Sequence, residues 1–317
     1  MRSSDDLLAC PRCAGPLRGL RCDRCPAQYA APSGIPDLRL ASEGKTESVR
    51  DFYSESPFPG YPPGESFSAL RARAARSEFA RSLDAAIPGD ATVLEMGCGT
   101  GQLSLFLASA QRLVVGADLT RAALELGHRA ADRFGVQGVR FVETDLHSPG
   151  LRREAFDVVV CSGVLHHTED PRKSFAAVAR LVRPGGVLVV GLYNAFARLP
   201  LRARRLVARL SGYRFIPGDP VLEDRGAEPD RRKSWLRDQY QHVVEHRHTL
   251  GEVRGWFRST GMTYLRAFPS TLFGRPENEL FAQEDDWAIE RAVAQVSWMR
   301  SLGNEGGLFV AVGAKPC

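Results

Sequence analysis

The sequence predicts an α/β protein built on a doubly wound, mostly parallel sheet, with a small cysteine-rich module before it and a helical cap inserted late. Three observations carry this. Short apolar, β-branched runs without polar alternation recur from Thr92 to Val190, as expected of parallel strands covered on both faces. A glycine-rich turn, Gly97-Cys98-Gly99-Thr100-Gly101, follows the first of these runs. Two Cys-x-x-Cys pairs, Cys10/Cys13 and Cys22/Cys25, stand near the N-terminus.

A chain of 317 residues suggests about two domains, and 44% hydrophobic with 25% charged residues excludes collagen-like, disordered and coiled-coil classes. The formal charge of +5 permits a polyanionic partner. The lysines are only Lys45, Lys173, Lys233 and Lys315, so the excess is an arginine-heavy usage, and clustering is the better guide. No apolar run resembles a signal core or approaches a membrane span, so a cytoplasmic location and no membrane partner are expected.

Residues 1–44 form the first unit. Thiolates with two residues between them occupy neighbouring corners of a tetrahedron, and a second pair closes it, so Cys10, Cys13, Cys22 and Cys25 predict a structural zinc ion. Residues 45–90 follow as an aromatic, Pro/Gly-rich lid loop, with Tyr53 and Tyr61 placed to cover a site, and a helix from Glu65 to Ile87 stopped by Pro88-Gly89. The sheet domain occupies 91–193 and 249–317, with strands at Thr92–Leu94, Arg112–Gly116, Val139–Val142, Phe156–Val160, Gly186–Val190, Met262–Ala267 and Leu308–Val312. Between them, 194–248 loses the βα rhythm and predicts the cap; Thr249-Leu250-Gly251-Glu252 then offers a capping box for a helix through Trp256-Phe257.

The candidate site gathers at the strand ends. Gly97, Gly99 and Gly101 permit close backbone approach to a ligand, and Glu95 just before them suits an ammonium group better than a pyrophosphate. Asp118, about 20 residues on, suits two ribose hydroxyls, and Asp145 suits an adenine amine. The GxGxxG spacing of NAD sites is absent, which sets that nucleotide behind.

From Val93 to Tyr193 the sequence resembles the class I S-adenosylmethionine-dependent methyltransferases, and the residues around Cys10-Pro11-Arg12-Cys13 resemble the zinc ribbon preceding several bacterial members. The resemblance implies a seven-stranded Rossmann-like sheet with its last strand antiparallel. It implies S-adenosylmethionine bound by Tyr53, Glu95, Gly97, Cys98, Gly99, Gly101, Asp118, Leu119, Asp145, Leu146 and Ser162. Arg183-Pro184-Gly185-Gly186 would be the turn into the fifth strand.

Methyl transfer is an in-line displacement that needs a base only when the acceptor must lose a proton. His166, His167, Tyr193, Asn194, Tyr240 and His242 are the candidates for that work; His242, Glu245 and His246 also have metal spacing if helical. The expected reaction is methylation of a small molecule beneath the cap, in secondary metabolism. Two alternatives stand beside it. One is displacement of methylthioadenosine, by aminocarboxypropyl transfer or by cyclisation to azetidine-2-carboxylate. The other is RNA methylation, favoured by the ribbon and by Arg198, Arg202, Arg204, Arg205 and Arg209, but the Asn/Asp-Pro-Pro-Tyr motif of base-amine enzymes is replaced by Cys161-Ser162-Gly163-Val164.

Overall fold

The computed structural model describes residues 4–41, 45–54, 57, 60–62, 64–108, 111–223, 235–236, 239–240, 245–272, 279–302 and 306–317. An N-terminal hairpin pairs β1 (Leu17–Arg18) with β2 (Arg21–Cys22). The main sheet has seven strands: β3 (Thr92–Met96), β4 (Leu113–Asp118), β5 (Val139–Glu143), β6 (Phe156–Ser162), β7 (Val182–Tyr193), β8 (Thr263–Phe268) and β9 (Leu308–Ala314). Their order is β5-β4-β3-β6-β7-β9-β8. Neighbours from β5 to β7 pair in parallel, and β9 runs antiparallel to both β7 and β8, as the resemblance implied.

The unalternating strand sequences have a direct cause. All of β3 is buried, and Val93, Leu94, Val159 and Val160 are fully enclosed, because helices cover both faces of the sheet. One core layer joins Leu94, Val159 and Leu188 with Phe175 and Phe257; the other joins Val93, Val160 and Val189 with Leu83 and Leu105. The covering helices are α2 (Phe67–Ala74), α3 (Glu78–Ala86), α4 (Gln102–Leu107), α5 (Arg121–Phe134) and α6 (Pro171–Ala179), after an earlier α1 (Lys45–Ser54). The later ones are α7 (Leu199–Leu210), α8 (Leu250–Ser259) and α9 (Ala288–Ser301).

Four local expectations change. Lys45–Ser54, read as loop, is helical. The single helix expected from Glu65 to Ile87 is two, because the Ser77 side chain accepts from Ala80 N and caps a new helix after the break at Ala75. Arg183–Gly186, read as a turn, lies inside an early, irregular start of β7, where Gly185 N donates to Lys315 O and Gly186 O accepts from Lys315 N. The capping box is one-sided: Thr249 accepts from Glu252 N at 3.2 Å, but the Glu252 carboxylate turns to His248 Nδ1 at 2.9 Å.

Candidate functional site

The chain passes from β3 to β4 to β5 on one side of the sheet and then returns to lay β6 on the other side of β3. This reversal opens a crevice at the carboxyl ends of the strands, the usual ligand position in such sheets. A cavity of about 410 Å³ lies there, lined by the ends of β3, β4 and β6, by the loop after β5, and by Tyr53, His167, Tyr193, Trp235 and Gln239. Gly97 is essential to its floor. At φ +77° a side chain is strained, and an added Cβ would lie 2.1 Å from Val164 Cγ2.

Of the expected cofactor residues, Tyr53, Glu95, Gly97, Cys98, Gly99, Asp118, Leu119, Asp145, Leu146 and Ser162 all line this cavity. Gly101 does not. It starts α4 in a left-handed conformation, and a Cβ there would strike the Phe141 ring at 2.4 Å, so its role is packing. Thr46, Thr120, Thr144, His147, Thr168 and Glu169 line the cavity too and were missed. His147 had a signal, since it follows Asp145 by two residues in the same loop. Thr46 had none, because its helix was read as loop.

The three acids differ in environment. Burial pushes the Glu95 carboxyl up to about 8, with hydrogen bonds from Ser104 opposing it in part. Its side-chain partner is Ser104 Oγ. A buried carboxyl on the cavity wall, hydrogen-bonded by Ser104 and near the Asp118 carboxylate, fits a cationic ligand group. Asp118 accepts from Gly99 N and Thr120 N, both at 2.8 Å, and burial raises its pKa despite those bonds. The Thr120 side chain and the Leu119 backbone add to these bonds, which hold the carboxylate in place on the cavity wall. For Asp145, burial alone would raise the pKa, but His147 donates to it from the backbone at 2.8 Å and holds its ring Nδ1 at 3.0 Å, and the net shift is downward.

The other end of the cavity is built on Tyr193, at the tip of β7. His166 stacks on its ring at 3.8 Å, and His167 meets it edge-on at 5.6 Å. Gln239 Nε2 donates to the Tyr193 hydroxyl at 3.1 Å. His167 and Tyr193 line the cavity, whereas His166 lies fully buried behind them. Two further candidates fall away from the site. Asn194 Oδ1 accepts from Phe196 N and Ala197 N while its amide donates to Gln295, so it shapes the exit from β7. Tyr240 donates to Asp219 Oδ2 at 2.7 Å, and burial together with that carboxylate raises its pKa, so its hydroxyl is committed to Asp219. His242 lies outside the described residues. The alternative metal set built with it loses Glu245, which pairs with Arg198 and Arg205, and residues 245–247 are not helical.

In the N-terminal unit the four cysteines converge, with all four sulfurs within 4.8 Å of one another. Cys10–Cys25, Cys13–Cys22 and Cys13–Cys25 Sγ distances are 3.7, 3.4 and 3.6 Å, far longer than the roughly 2.05 Å of a disulfide. They approach the roughly 3.8 Å edge of a tetrahedron with Zn–S of about 2.3 Å, so the donor set fits a zinc ion. This unit is stitched to the cofactor side. Leu38 N donates to Glu143 O and Glu143 N to Pro36 O, extending the sheet at β5, while Ala9 N donates to Gly150 O and Arg152 N to Leu7 O. Gly150 N and Leu38 O are further joined through the Thr144 hydroxyl.

Residues 94–190 match the methyltransferase domain family, and these are the residues that build the strands and turns just described. Over this stretch the chain is similar to methyltransferases. This is an enzyme domain. A Synechococcus protein of unassigned function is 28% identical over 78% of this chain and 68% of its own length. A Mycobacterium bovis protein named as a methyltransferase is 38% identical over 34% of this chain, which spans 54% of that relative's length. The magnesium protoporphyrin IX methyltransferase of Synechocystis, solved with bound S-adenosylhomocysteine, shares the methyltransferase fold at a TM-score of 0.50, with 17% identity over 86% of this chain and all of that one.

Proposed function

We propose that the chain transfers the methyl group of S-adenosylmethionine to a small molecule held against Tyr193 and His167, and that a structural zinc ion organises its N-terminal unit. The observation that carries this reading is the cavity of about 410 Å³. It joins Glu95, Asp118 and Asp145, suited to ammonium, ribose and adenine, to an aromatic and imidazole-lined end under the cap, and its size is that of a small-molecule site.

The bound cofactor supplies an electrophilic methyl group. Glu95 would hold its ammonium, Asp118 its ribose hydroxyls and Asp145 its adenine amine, leaving the Tyr193 end of the cavity for an acceptor. Tyr193, clamped by His166 and Gln239, forms a rigid wall for that acceptor. Of the two imidazoles on the cavity wall, His147 is held by Asp145, and His167, beside Tyr193, is the one placed to take a proton from a hydroxyl or amine acceptor. The arginine set that favoured RNA is largely engaged elsewhere: Arg198 and Arg205 pair with Glu245, and Arg204 lies 3.9 Å from Asp219.

Mass spectrometry of the products tests the reading. S-adenosylhomocysteine is expected, formed in proportion to added small-molecule acceptor. Methylthioadenosine formed from the cofactor alone would instead establish attack on the aminobutyrate chain, with azetidine-2-carboxylate marking cyclisation.

A further inference from the structure

The outward face of α7 is reversed relative to an ordinary surface helix. Its inner side buries Leu201 and Ala208 beside Tyr240, and the flanking Arg204 and Arg205 turn inward to Asp219 and Glu245. Leu199, Leu206 and Leu210 stand seven and then four residues apart, in one line along the opposite side. Leu206 is 61% exposed and Leu210 80%, and the following turn adds Phe215 at 61%. A helix packed on a globular protein normally turns charge to water on this side, and an outward ridge of leucine calls for a partner.

Charge selects the partner. Arg202 and Arg209 flank the leucine ridge and Arg214 follows it, all three exposed. The segment from Asn194 to Gly218 contains no aspartate or glutamate. From the leucine ridge with its arginine border we infer that this face docks on the surface of an anionic lipid bilayer. The leucines and Phe215 enter the boundary between headgroups and acyl chains, and the arginines remain at the lipid phosphates. A second copy of the chain fits poorly, because a symmetric contact would set arginine against arginine with no acid between. RNA fits poorly too, since the centre of the face is aliphatic. No described helix is long and apolar enough to cross a membrane, so the docking is peripheral.

The test is co-sedimentation of the full chain with phosphatidylcholine vesicles, with and without phosphatidylglycerol, at low salt. At least tenfold tighter binding to the anionic vesicles is expected, weakening as salt rises. The double variant Leu206→Asp/Leu210→Asp should lose binding. The triple variant Arg202→Gln/Arg209→Gln/Arg214→Gln should weaken it about a hundredfold, near fivefold per arginine. Both should keep the wild-type thermal midpoint, because none of these side chains is buried. Absence of vesicle binding by the wild type would overturn the inference. So would self-association abolished by the leucine variant, or RNA binding that depends on the three arginines while vesicles are ignored.

Discussion

The Arg198 guanidinium lies 3.6 Å from the centre of the Tyr193 ring. His166 stacks on the same ring at 3.8 Å, so the two occupy opposite faces and the phenol is clamped between them. Arg198 is almost fully buried, donates to Gly306 O at 2.7 Å, and pairs with Glu245 and Gln239. Together with the Gln239 bond to the Tyr193 hydroxyl, this side chain ties the cap to the Tyr193 end of the cavity.

Removing that side chain is predicted to be costly. Arg198→Met should destabilise the fold by about 3 kcal/mol, the lower part of the range for breaking a buried pair, because Arg205 still reaches Glu245. Chemical denaturation measures this. An unchanged midpoint would show that the cap is held by other contacts.

The same cluster sets an acid limit. Burial pushes Glu245 upward, but Arg198 and then Arg205 outweigh it and hold its pKa below the ordinary value of 4.5. A depressed carboxyl contributes stability that is present above pH 4.5 and is lost as pH falls through the folded value. Wild-type stability should therefore drop in that acid window, and Glu245→Gln should flatten the drop.

Glu95 predicts a proton linkage of opposite sense. Its folded pKa of about 8 lies above the ordinary 4.5, so the free protein carries it protonated at pH 7, and its contribution to stability declines from pH 4.5 to about 8. An ammonium ligand favours the ionised form. Cofactor binding near pH 7 should release a proton, and affinity should rise towards pH 8. Titration calorimetry in two buffers of different ionisation enthalpy reads the release directly; identical heats would contradict it.

Chelation should reach the cofactor site from the N-terminal unit. The N-terminal unit that the four cysteines organise holds the β5 edge and the loop of Asp145 through Leu38–Glu143 and Ala9–Gly150, on either side of the Cys10 to Cys25 stretch. Metal analysis should find one zinc per chain, and its removal or Cys22→Ser should weaken S-adenosylhomocysteine binding several-fold. Protein purified without chelators and free of metal would contradict the assignment.

Much of this was legible because it is local. Unbroken Val/Leu runs announce buried parallel strands, Gly97 and Asp118 follow directly from the strand ends that carry them, and the Cys-x-x-Cys spacing states its own chemistry. The errors occur where a partner distant in sequence decides. Asn194 and Tyr240 look like proton-handling groups until the Gln295 side chain and the Asp219 carboxylate are found to occupy them. The helix at Lys45–Ser54 carries little apolar periodicity, so its residue on the cavity wall, Thr46, gives no sign in the sequence. Gly101 resembles its neighbours in the motif, and only the Phe141 ring across the turn gives it a packing role.

The assignment of S-adenosylmethionine to the crevice between β3 and β6 is tested most directly by calorimetric titration of S-adenosylhomocysteine into the wild type and Asp118→Ala. The account predicts one site per chain in the wild type. In the variant it predicts a loss of about 1.5–3 kcal/mol, roughly ten- to hundredfold in Kd, because the carboxylate's charge-assisted bonds to the ribose are gone. No binding by the wild type, or equal affinity in the two proteins, would contradict it.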